Sequence, residues 1–247
     1  MMKKHFLLLV LPIVGMLSCK KDRPTNVPKI CTIQSVSKTE NGSEAGKFYY
    51  TFDAKGRTTQ IDFKVEKPES YVYNYETNKV TLTDLNDGRN HMEYALDAQA
   101  RIITWRFEKL KYDNNGYLTE INKGTNWYSK LYYSNGNLTK FEDIITFWNG
   151  DQHIVTTLFE YNSELAQEIT GIGNPLNEIY YFENALIPLM GKASVNRFSR
   201  KTVSGSGMAD VVTNYSYQED DQGNITKVIA KEYLGKLTVY NVNYQCD

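Results

Sequence analysis

The 247-residue chain sets 28 lysines and arginines against 29 aspartates and glutamates, a formal net charge of −1, and so lacks the basic footprint of a nucleic-acid binder. Tyrosine is abundant, with 19 copies, and helical periodicity is nearly absent, which excludes a helical bundle and favours an all-β protein. Once the N-terminal segment is set aside, the remaining length suits one β-rich domain.

The N-terminus reads as an address. Lys3 and Lys4 precede an apolar run, Phe6 to Val14, broken by Pro12, and then Gly15, Met16, Leu17, Ser18 and Cys19. A basic start, an apolar stretch of roughly 7–15 residues and a small-residue cut site make a secretory signal peptide. The run is shorter than the about 20 residues of a membrane-spanning helix. Leu17-Ser18-Cys19 resembles the bacterial lipobox, which implies cleavage after residue 18 and lipidation of Cys19. Residues 19–29, with Pro24 and Pro28 and no apolar period, read as a lipidated start and flexible tether. Residues 30–247 form the expected β-rich domain.

That domain opens at Cys31 and ends beside Cys246. An even pair of thiols in an oxidising compartment predicts a disulfide that joins the two ends.

Between them, one hairpin unit recurs. Tyr112-Asp113-Asn114-Asn115-Gly116-Tyr117-Leu118-Thr119 is the clearest copy, and Phe52-Asp53-Ala54-Lys55-Gly56-Arg57-Thr58-Thr59 is another. Leu96-Asp97 to Ile103 keeps the frame with Ala100 in place of glycine, Tyr133 to Thr139 is one residue shorter, and Asp220 to Thr226 is a later copy. The aspartate side chain starts a turn by accepting backbone N–H groups, and the glycine closes it in a left-handed conformation. Ala100 resists that conformation, so a different turn or strain is expected there. Alternation after the turn puts Tyr117, Thr119 and Ile121 on one face and Leu118 on the other. Asn149-Gly150 reads as a two-residue hairpin, and Gly235 marks the last turn. The whole predicts an antiparallel meander of about 12–16 strands.

Two segments break the pattern. Residues 184–200, with Pro188 and Gly191 among Leu186, Ile187, Leu189 and Met190, predict a short irregular or helical plug for an open end of the sheet. Val203 to Ala209, rich in serine and glycine, predicts a mobile loop. A long meander must curl or pair its edges, and a bridge from Cys31 to Cys246 would bring them together. A closed or nearly closed barrel follows. Charges at mixed strand positions, such as Lys227, Lys231 and Glu232, argue for a soluble barrel rather than a membrane pore.

Chemistry is sparse. No metal-ligand spacing, nucleophile elbow or phosphate-binding loop is present, and no cofactor is expected. Asp220-Asp221 lacks the downstream glutamate of a calcium loop. Glu142-Asp143 and Glu66 with Glu69 are nominal carboxylate pairs for a hydrolase. Trp127 and Trp148 lie beside predicted turns, with His153 nearby, and rings at such places stack on sugars or anchor partners. The competing reading has these rings cap the barrel against the Leu186–Met190 segment.

The hairpin units at Phe52 and Tyr112 resemble the YD repeats of RHS and teneurin proteins, which implies a hairpin strip. With the lipobox and Cys19-Lys20-Lys21-Asp22, the chain also resembles uncharacterised Bacteroidetes-type lipoproteins with a porin-like β-fold. That resemblance implies an outer-membrane lipid anchor facing the cell surface or the periplasm. The expected function is a non-enzymatic binding module for glycans or peptides, with Trp127, Trp148 and His153 as ligand contacts. A structural partner of another envelope protein is the alternative, and a carboxylate hydrolase comes last.

Overall fold

The computed structural model describes residues 31–64, 68–86, 91–105, 107–167, 169, 171–179, 184–205 and 207–246. The expected leader 1–18, Cys19, the tether 19–29 and Glu66 lie outside these residues.

Sixteen strands follow one another: β1 (Cys31–Glu40), β2 (Ser43–Phe52), β3 (Thr58–Lys64), β4 (Glu69–Tyr75), β5 (Lys79–Asp84), β6 (His91–Leu96), β7 (Ile102–Trp105) and β8 (Glu108–Tyr112) form the first half. The second half is β9 (Leu118–Asn122), β10 (Trp127–Ser134), β11 (Asn137–Thr146), β12 (Gln152–Leu165), β13 (Asn196–Gly205), β14 (Val211–Glu219), β15 (Ile225–Glu232) and β16 (Leu237–Cys246). Each strand pairs antiparallel with the next, and β16 pairs with β1 from Cys31↔Cys246 to Glu40↔Thr238. The sheet is thus a closed barrel without a free edge. Cys31 and Cys246 are disulfide-bonded across the seam, with Cα atoms 4.0 Å apart.

Strand direction sorts the loops to two ends. The aspartate turns, the 166–195 connection, Cys31 and Cys246 share one end, here the plug end. The hairpins that leave the odd-numbered strands, from Asn41-Gly42 to Gly235, share the other, here the tip end.

The repeat has a structural logic beyond its turn. Asp113 Oδ1 accepts N–H bonds from Asn115 and Tyr117, both 2.9 Å. Asp53, Asp97 and Asp220 do the same in their turns. A β-bulge follows each turn: Tyr112 pairs with Leu118, Lys111 with Glu120, and Thr119 is the extra residue. Its hydroxyl donates to Lys111 O, and Thr59, Thr139, Ser199 and Thr226 donate likewise across their own bulges. The carbonyl just before the bulge is then taken by a tyrosine of the paired strand. Tyr75 donates to Thr58 O, Tyr112 to Ile102 O, Tyr161 to Leu138 O, Tyr217 to Phe198 O and Tyr244 to Ile225 O.

The bulge corrects the simple alternation. Leu118 and Ile121, three apart, both face the core, because the extra residue flips the pleat between them. Thr58 and Ile61, Leu138 and Phe141, and Ile225 and Val228 repeat this spacing. Ala100 keeps the standard turn and takes φ of 59°, so strain, not a different turn, is the outcome there. Asn149-Gly150 is not a two-residue hairpin. Phe147 N–H bonds Asp151 O and Gly150 N–H bonds Phe147 O, a three-residue loop with Gly150 left-handed at φ of 88°. Val203 to Gly205 belong to β13 rather than to a loop, held by pairing with Val155 to Thr157.

The plug is real but begins and ends earlier than the sequence suggests. It holds helix α1 (Pro175–Ile179) and a 3₁₀ turn (Asn184–Leu189), while residues from Asn196 onward already form β13. Ile169, Ile172, Leu176, Leu186, Ile187 and Met190 enter the barrel core and join Leu118, Leu138, Phe141 and Phe198. Inside the barrel, Glu178 of α1 accepts from Lys201 Nζ and Tyr215 Oη, both at 2.7 Å, which ties the plug to β13 and β14.

The lumen is therefore packed with apolar side chains, and the outer face is charged. Lys111–Glu120, Lys140–Glu142 and Lys79–Glu93 are ion pairs between or along strands on the outside. A membrane-spanning barrel needs an apolar outer band about 25 Å tall and a polar interior. This barrel has the reverse arrangement, which suits water outside.

Candidate functional site at the tip end

Besides the Glu178 cluster on the plug, the lumen holds a second polar cluster, at the tip end. Register places Trp127 opposite Ile145, and Ile145 opposite His153, in one cross-strand row at the mouth. Two residue pairs further in, Ser129 opposes Asp143, on the same inner face as Leu131 and Phe141. Lys123 reaches this face from the end of the preceding hairpin.

Asp143 organises the group. Its Oδ1 accepts from Lys123 Nζ at 2.7 Å, Trp127 Nε1 at 2.9 Å and Ser129 Oγ at 2.7 Å. The Lys123 ammonium also lies 4.3 Å from the centre of the Trp127 ring, a cation–π contact. The Lys123 side chain is only 6% exposed. Burial pulls its pKa below the ordinary lysine value, against the opposing pull of Asp143 and Glu108. The indole is thus fixed at its nitrogen and from one face, while the residue stays 43% exposed.

Glu142 and Asp143 do not form a catalytic pair. Successive residues of a strand face opposite ways, and Glu142 points outward to Tyr132 and Lys140. Three donors on one Asp143 oxygen make it a structural acceptor rather than a nucleophile. Asp220 spends its carboxylate on Gln222, Asn224 and its own turn. Among the described residues no group of three or more His, Cys, Asp or Glu is placed to hold a metal.

Trp127 and His153 lie in one row at the mouth with Ile145 between them, whereas Trp148 stands at the apex of its loop, 94% exposed. None of the three touches the plug, because they occupy the opposite end. The reading in which they cap the barrel against Leu186–Met190 is overturned by strand direction. The sequence also hid a wider pattern. Leu85, Phe107, Trp127, Phe147, Trp148, Met208, Tyr233 and Leu234 are exposed apolar side chains on six successive tip-end hairpins. They come one or two to a loop, so only the curling of the sheet gathers them around the mouth. Lys123 was missed for a similar reason: its partner Asp143 is 20 residues away.

The fold has known counterparts. It is porin-like. A porin-like protein from Bacteroides uniformis superposes with a TM-score of 0.58 at 15% identity, over 87% of this chain and 96% of that one. A porin-like protein from Bacteroides vulgatus gives 0.57 at 12% identity, over 86% and 98%. No protein-family model matches the sequence, and no curated protein matches it. Identity at this level shows a shared barrel and nothing about ligand.

Proposed function

We propose that this chain is a non-enzymatic binding module of the cell envelope, held by a lipid on Cys19, with glycans as ligands at its tip end. The hairpin units read as YD-like repeats that serve as scaffold. The observation that carries the proposal is the fixed, half-open Trp127 ring, braced by Asp143 and Lys123. Trp148 projects from the next tip-end hairpin as a second aromatic face, and His153 completes the row at the mouth. Aromatic faces next to hydrogen-bonding groups suit sugar rings, which present apolar faces and polar edges.

A thermal-shift screen of the full chain against polysaccharides, oligosaccharides and peptidoglycan fragments tests this. A ligand present at about 100 times its dissociation constant raises stability by about 2.7 kcal/mol. Trp127→Ala should remove the shift and Trp148→Ala should reduce it. A shift that survives both substitutions would place the ligand elsewhere.

The aliphatic members of the ring, Leu85, Met208 and Leu234, favour a second reading. Sugar stacking has no need of them, whereas a protein partner does. Cross-linking in intact envelopes tests it, and recovery of no stoichiometric partner would count against it.

A further inference from the structure

The plug covers only part of its own end of the barrel. Lys192 N–H bonds Gly116 O and Val195 N–H bonds Gly136 O, so the segment after the 3₁₀ turn is tied over the β8 to β11 side. On the opposite side, beside the β1–β16 seam, a cleft of about 560 Å³ lies open between the Asp53 and Asp220 turns. Ligand pockets span about 300–1,000 Å³, so this one is of useful size.

Its lining is more apolar than polar, with Thr32 and Thr58 among the polar residues. Ile33, Phe52, Pro188 and Leu189 form the apolar walls. The hydroxyls of Tyr75 and Tyr244 are spent on Thr58 O and Ile225 O, so these residues offer ring faces. The amides are committed too: Asn224 Nδ2 bonds Asp220, and Gln167 bonds the backbone of Gly223 and Ile225. Arg57 is neutralised by Asp53 and lies over the Tyr75 ring, 4.2 Å from its centre. Lys55 is left as the one charged side chain of the lining without an ion pair among the described residues. The cleft therefore presents apolar walls interrupted by polar groups already committed to the backbone or to one another, with one unpaired positive charge, Lys55, on its exposed turn.

We propose that this cleft binds a single-chain anionic amphiphile, a long-chain carboxylate whose tail lies on Phe52, Ile33 and Leu189 and whose head meets Lys55. Charge complementarity selects the head, and apolar area otherwise exposed to water, worth about 25 cal/mol per Å² on burial, drives tail binding.

The test is isothermal titration of the full chain in its Cys19→Ala form, which removes the expected acylation site, with dodecanoate and with dodecyltrimethylammonium, same tail and opposite head. Below micellar concentrations, one equivalent of dodecanoate should bind, about tenfold tighter than the cation, the scale of one hydrogen bond to a charged group. Lys55→Glu, on an exposed turn, should reverse the preference, and Leu189→Arg should abolish both. Trp127→Ala should change nothing, which separates this cleft from the tip-end reading. No binding, equal affinity for the two heads, indifference to Lys55→Glu, or uptake only as micelles would each overturn the proposal.

Discussion

The two ends of the barrel are built from the same strands and yet do opposite things with their side chains. At the plug end, aspartates, threonines and tyrosines spend their polar atoms on the backbone, and apolar residues turn inward. At the tip end, polar atoms gather inside around Asp143, and apolar residues such as Phe107 and Tyr233 turn outward. Polar satisfaction of the backbone stabilises the first end. The most exposed rings at the second end, Phe107, Trp148 and Tyr233, contribute little to folding.

Changes at the plug end should therefore cost stability, and changes at the tips should not. Replacing Cys31 and Cys246 together by serine frees a loop with a sequence separation of 215 residues. The expected loss is about 3–5 kcal/mol in denaturant titration, with tip-end ligand binding unaltered in the folded protein. Asp143→Ala tests the one tip-end cluster that should matter for folding. It strands Lys123, Ser129 and Trp127 at once, and should cost about 2–4 kcal/mol.

Alkaline pH should attack the tyrosine bonds. Burial raises Tyr75 and Tyr244 from the ordinary 10.0 to about 12. Between these values the folded chain keeps protons that the unfolded chain has lost. Stability is therefore full below pH 10 and falls as pH rises towards 12. A pH series of thermal midpoints that stays flat past pH 11 would show that these hydroxyls are not held as described. Ala100→Gly should relieve the left-handed strain and add up to about 1 kcal/mol, less the entropy glycine gives the unfolded chain. Phe107→Ser, at a residue 92% exposed, should shift stability by no more than about 0.5 kcal/mol. A larger effect there would erase the contrast between the ends.

Much of the plug end can be read in the sequence. The aspartate turns, the Cys31–Cys246 bridge and a plug containing Leu186 and Ile187 follow from local chemistry and from thiol parity. The facing of Leu118 does not, because a bulge is a relation between two strands, and its threonine looks like any other β-branched residue. Asn149-Gly150 misleads for the same reason: the dipeptide suits two turn types, and the pairing of Thr146 with Gln152 decides between them. The tip end is harder still. Trp127 is visible as an aromatic near a turn, but its brace depends on residues brought together only by register, and the ring of tips exists only once β16 meets β1.

That last pairing has a kinetic side. The seam joins the first strand to the last, so no length of chain short of the whole can complete the sheet. A growing chain keeps two open strand edges until Leu237–Cys246 emerges, and such edges recruit other chains. A contact across nearly the full length is also among the slowest to find. The molecule is thus vulnerable for the whole of its synthesis and becomes safe in one final step. A C-terminal truncation before β16 should aggregate rather than yield a smaller barrel.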